Sequence, residues 1–138
     1  MLNLSWRPSD LESIENKWNE VKIPQDITAP QAEKLMLRLL EAREEWQDAY
    51  VNATYYEDIC SWKYESAYNL AFMESEAKTD KGKDILAKSD AQVRIAKLNL
   101  IEAKATVLKT KMKVDSATLG HHACKKIYEE SSQERRWP

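Results

Sequence analysis

The chain has 138 residues, of which 43% are hydrophobic and 32% charged, and a formal net charge of −2. That length suits one domain. The composition is too apolar for a disordered chain and, with no run approaching 18 uncharged apolar residues, too charged for a membrane-spanning one. Only two glycines are present, so the glycine turns that sheets, barrels and phosphate loops need are missing, and an all-α protein is expected.

Residues 1–30 hold Pro8, Pro24 and Pro30, three of the four prolines. They read as an N-terminal arm with a short helix over about 10–20, capped by Ser9 or Asp10, with Leu11, Ile14 and Trp18 on one face. Residues 21–29 read as an extended connector, and Pro30 suits the first turn of a helix capped by Thr28. The opening MLNLSWRPSD lacks a basic segment followed by an apolar one, so it does not read as a secretory signal. Cys60 and Cys124 stand apart inside helical patterns, which fits reduced thiols in a cytoplasmic protein.

From residue 31 to about 75 nothing breaks the chain. A polar cluster, Lys78-Thr79-Asp80-Lys81-Gly82, then precedes an equally long segment from 83 to about 130, interrupted only by Gly120. These segments predict two helices about 65–70 Å long, and the short link makes them an antiparallel hairpin. Residues 131–138 read as a flexible tail.

Both helices carry seven-residue repeats. In the second, Leu86, Val93, Leu100, Val107 and Val114 are each followed three residues later by a small residue, from Ser89 to Ala117. In the first, Leu39, Ala42, Trp46, Ala49, Ala53, Tyr56, Cys60, Lys63, Ala67 and Leu70 form a matching stripe. The hairpin is therefore expected to be a coiled coil. A second apolar stripe runs along helix two through Leu98, Ile101, Ala105, Leu108, Met112 and Leu119. A lone hairpin buries one stripe per helix, so this second one predicts a homo-oligomer interface. The alternative is that the arm folds back over it and completes a three-helix bundle within one chain.

Charge is segregated along the chain. Residues 31–76 carry four basic and ten acidic side chains, while residues 83–114 carry eight basic and three acidic. Lys97, Lys104 and Lys111 recur every seven residues beside the seam. Such a row pairs with an acidic partner helix, or tracks phosphates when an oligomer repeats it. Eight aromatic residues lie between Trp46 and Phe72, with Lys63 among them beside Trp62 and Tyr64. Aromatic rings stack on nucleic-acid bases while a cation meets phosphate, and each stack is worth about 1–3 kcal/mol. Those residues could equally fill a bundle or a subunit contact. His121 and His122 point about 100° apart on a helix, and His121 with Cys124 makes half of a usual zinc set, so no metal site or cofactor is expected. No catalytic arrangement is legible, and the protein is not expected to be an enzyme.

The stretch Gly82-Lys83-Asp84-Ile85-Leu86-Ala87-Lys88-Ser89-Asp90 leads to Val93 and Leu98. It continues through Leu108-Lys109-Thr110-Lys111 to Val114-Asp115-Ser116. It resembles the UvsY-like family of small tailed-phage recombination mediators, over roughly residues 46–127. The resemblance implies a closed ring that binds single-stranded DNA. It also implies a role in helping a RecA-like recombinase displace single-strand-binding protein, in the host cell cytoplasm. Lys63 is the position that best matches the basic residues late in that family's first helix, whereas Glu65 stands where a second basic residue is expected. The arm, with Trp6 and Trp18, has no counterpart there.

On this reading the DNA-contacting residues are Trp62, Lys63, Tyr64, Arg94, Lys97, Lys104 and Lys111, without a role for a membrane. The competing expectation is a helical protein-interaction factor that binds no nucleic acid: a phage assembly chaperone, a virion component or an inhibitor of a host defence complex.

Overall fold

A computed structural model describes residues 2–19 and 21–136, with side-chain surroundings as far as Ser131. A short 3-10 turn, Pro8–Asp10, leads into α1 (Leu11–Trp18), followed by α2 (Ala29–Glu74), α3 (Asp80–Ser89) and α4 (Ala91–Arg136). The described residues form helices and connections without strands. No helix among them is long and apolar enough to cross a membrane.

Local chemistry sets the start of α2. Thr28 is extended, its hydroxyl accepts from Gln31 N at 3.4 Å, and the Gln31 side chain accepts from Thr28 N at 3.0 Å. This reciprocal pair satisfies two otherwise orphaned amides, and Pro30 needs none.

α2 and α4 run antiparallel along their length. Leu39 lies by Gly120, the Lys113 ammonium by Trp46 and the Lys97 ammonium by Tyr64. One sequence number rises as the other falls. The seam buries Leu39, Ala42, Trp46, Ala49, Ala53 and Cys60 from α2 against Val93, Leu100, Ala103, Thr110, Ala117 and Cys124 from α4. Alternation of large and small residues at this 3–4 spacing lets the two backbones approach closely. Thr106 and Thr110 return their hydroxyls to carbonyls of the preceding turn, so they enter the seam without an unpaired polar atom.

The arm does fold back, but not over the second stripe. Trp6, Leu11 and Trp18 pack on Ala42, Trp46, Ala49 and Ala53, with Val107 and Val114 at the edge. Asn3 N donates to Asn52 Oδ1 at 2.7 Å. Glu15 pairs with Lys109, and Glu45 accepts from Lys17 at 2.7 Å and from the Trp18 indole. The arm thus seals one flank of the hairpin near its middle. Leu98, Ile101, Leu108, Met112 and Leu119 remain 53–70% exposed, and Ala105 is exposed beside them.

Three expectations need correction. The second long helix is two helices, because Asp90 is extended (φ −62°, ψ 136°) and its carboxylate accepts from Gln92 N at 2.9 Å and Val93 N at 3.2 Å. It ends one helix and caps the next. The break shifts the repeat, so Leu86 is exposed and Ala87 is buried in its place. The link is only residues 75–79, since Thr79 already caps α3 through Gly82 N at 3.1 Å. Finally, residues 131–136 continue α4 rather than forming a loose tail; positions 137 and 138 lie outside the described residues.

Candidate nucleic-acid interface

Successive residues of a helix point about 100° apart, so Trp62, Lys63 and Tyr64 cannot share a face. With Cys60 buried in the seam, Trp62 falls on the outward side of α2, where it is 67% exposed. Lys63 follows Glu45 by eighteen residues, about five full turns, and so lies on the strip that the arm occupies further back. It was expected on the seam but is exposed. The straight helix drifts about 20° per seven residues from such a repeat, and the inward-facing strip, here only half-buried, has moved to Tyr64, Ala67 and Tyr68 by this point. Leu70, expected on the same stripe, is likewise exposed.

Tyr64 points to the flank opposite the arm. There the Lys97 ammonium of α4 sits 5.0 Å from its ring centre, within cation–π range. This contact joins two of the expected site residues across the two long helices. Lys104 and Lys111 continue from Lys97 at seven-residue spacing on the same flank, both exposed. Arg94 instead falls with Leu98, Ile101 and Leu108 on the outward side of α4.

Beyond the expected residues, Tyr68, Phe72, Lys83, Asp84 and Lys88 also gather on this flank. Tyr64, Tyr68 and Phe72, four residues apart, form a ladder of tilted rings with centroids 6.4 and 6.1 Å apart. Lys83 of α3 places its ammonium 5.8 Å from Phe72, so the ladder has a cation at each end. At its middle, the Tyr68 hydroxyl donates to Asp84, whose other oxygen pairs with Lys88 at 3.1 Å. That hydrogen bond is the main cause that raises the Tyr68 pKa and lowers that of Asp84. A shallow cleft lined by Tyr64, Glu65, Tyr68, Asn69, Asp84 and Lys88 opens there. The i, i+4 spacing of the three rings was the available signal; the cations come from α3, whose direction no local pattern sets.

The flank therefore offers a ladder of tilted rings with an ammonium group at each end, with Glu65 and Asp84 offsetting part of the positive charge. Such a surface can take planar bases and phosphates. His121 and His122 have ring centroids 5.9 Å apart, and no cluster of three or more metal-ligating side chains occurs among the described residues. No family model, curated protein or solved structure matches the chain.

Proposed function

We propose that this chain is a non-enzymatic, self-assembling protein that binds single-stranded DNA and assists the loading of a RecA-like recombinase. The observation that carries it is the Tyr64–Tyr68–Phe72 ladder, with Lys97 and Lys83 at its ends and the Lys97–Lys104–Lys111 row leading away from it. Ring stacking supplies sequence-tolerant affinity while ammonium groups follow the strand. An oligomer repeats a weak site, so a strand that touches several copies gains effective concentration. The likeness to the UvsY-like mediators supports the recombinase partner and a cytoplasmic setting.

A second reading, a helical protein-interaction factor without nucleic acid, is favoured by the apolar side chains left exposed on the outward sides of α2 and α4, including Leu37, Trp62 and Leu98. Fluorescence anisotropy of a labelled oligo-dT separates the two. The mediator reading predicts binding at about 50 mM salt that weakens steeply toward 200 mM, as phosphate contacts require. An intact oligomer with no anisotropy change at low salt would leave the interaction factor.

A further inference from the structure

The two outward faces of the hairpin are complementary to each other. On α4, the strip opposite the seam presents Leu98, Ile101, Leu108 and Met112, each more than half exposed. Arg94 lies among them, and Lys97, Lys104 and Lys111 run along one border. On α2, the strip opposite the seam presents Leu37, Val51 and Trp62, which are 61%, 48% and 67% exposed. Glu44, Asp58 and Glu65, all exposed, are interleaved with them: Glu44 and Asp58 are each seven residues from Val51, and Asp58 and Glu65 are four and three from Trp62. The four basic residues of 31–76 (Lys34, Arg38, Arg43 and Lys63) lie to either side of that strip on a 100° wheel. The first face is thus apolar with an excess of basic over acidic residues, Glu102 and Asp115 being the exposed acids beside it, and the second is apolar and acidic.

We infer that the outward face of α4 docks on the outward face of α2 in a second copy of this chain. The occupant follows from charge. Two α4 faces brought together would set Arg94 and the lysine row against their like, and two α2 faces would oppose carboxylates. Only the mixed pairing matches apolar with apolar and opposite charge with opposite charge. Each outward face is turned away from the seam, so the two point in roughly opposite directions from one hairpin. A two-fold pair cannot use both. Association is head-to-tail, and it closes into a ring or continues as a filament according to the rotation per copy. The new contact repeats the α2–α4 pairing already present within the chain. This rests on the self-assembly part of the proposed function and adds which surfaces meet.

A mixing experiment on the full chain tests it. Leu108→Glu spoils the α4 face and leaves α2 intact; Trp62→Lys does the reverse. Both sites are exposed, and circular dichroism checks that each variant keeps its helices. By light scattering, wild type is expected to exceed two copies, each variant alone to be a monomer, and their equimolar mixture to form a complex containing both. Recovery occurs because one intact α4 face then meets one intact α2 face. A monomeric wild type at high concentration sinks self-assembly itself. An oligomeric wild type whose Trp62→Lys variant keeps its size, or whose monomeric variants do not combine, overturns the α4–α2 pairing alone.

Discussion

The indole N–H of Trp18 donates to the carboxylate of Glu45, and that carboxylate also accepts from Lys17 at 2.7 Å. One side chain of α2 therefore holds the last turn of α1, while Trp18 buries its ring on Ala42 and Trp46. Replacing Glu45 by Ala removes the indole's acceptor and costs about 1 kcal/mol for that hydrogen bond. The exposed Lys17 pair adds little, because solvent screens it. Glu45→Gln keeps an acceptor and is expected to retain most of the anchoring. The 15N indole resonance of Trp18 checks both: broadened and shifted in Glu45→Ala, close to wild type in Glu45→Gln.

The same contact gives the arm an acid limit. Burial pushes the Glu45 carboxyl up, but the hydrogen bonds from Lys17 and Trp18 and the Lys17 charge outweigh it and hold the group below its ordinary value of 4.5. A depressed carboxyl binds its proton more weakly when folded than when unfolded. Its stabilisation is therefore complete above 4.5 and is lost as pH falls through the folded value. Protonated Glu45 keeps an acceptor oxygen, as Glu45→Gln does, so below pH 4.5 the Trp18 resonance is expected to move to the position it takes in Glu45→Gln, before α2–α4 helicity is lost. A simultaneous change in both signals would mean that Glu45 does not hold the arm separately.

What could be read from the chain alone follows the range of the forces involved. Thr28, Gln31 and Pro30 act within one turn, so the start of α2 was visible to within two residues. Alternation of residues such as Ala53 with larger neighbours made the seam visible. Asp90 misled because a capping aspartate inside a seven-residue repeat looks like an ordinary surface position of a continuous helix. Lys63 misled because a repeat of seven was extended past the point where a straight helix leaves it. The Tyr68–Asp84 bond and the Lys83–Phe72 contact depend on how α3 lies against α2, which is a tertiary property with no local signal.

The two glycines respond differently to alanine. At Gly120 an added Cβ would meet Leu39 Cδ1 at 3.2 Å and Cδ2 at 3.4 Å. Leu39 and Gly120 both border a cleft of about 520 Å³, so the leucine methyls have room to yield. The gain in helix propensity, about 1 kcal/mol, then dominates, and Gly120→Ala is expected to raise the Tm by about 3 °C. At Gly82 the Cβ would sit 3.1 Å from both Ala77 Cβ and the Thr79 hydroxyl, which is the cap of α3. Displacing that cap offsets the propensity gain, so Gly82→Ala is expected to leave the Tm unchanged or lower it. Calorimetry of the two variants side by side decides it.

Asp90→Ala removes the carboxylate that accepts from Gln92 N and Val93 N, a loss of about 1 kcal/mol. Alanine also suits a helix interior, so the native signal at 222 nm is expected to stay level or rise while the urea midpoint falls. A drop in helicity instead would show that the restart of α4 depends on this side chain as a whole.

Lys97 and Lys63 lie on opposite flanks of the seam, which makes them a discriminating pair for DNA. A strand that stacks on Tyr64 and follows Lys104 and Lys111 passes Lys97 and is separated from Lys63 by the width of α2. Lys97→Ala is expected to weaken oligo-dT binding several-fold and to flatten its salt dependence by about one counterion. Lys63→Ala is expected to change the affinity by less than twofold; because Lys97 also borders the docking face of α4, light scattering on each variant separates a lost DNA contact from a weakened oligomer. Tyr64→Leu keeps the packing volume close while removing the stacking ring, and is expected to lower affinity with the salt slope unchanged, since no phosphate contact is lost. The reverse ranking, with Lys63→Ala the more damaging, would move the strand to the flank that the arm occupies and leave the Tyr64–Lys97 contact a purely structural one.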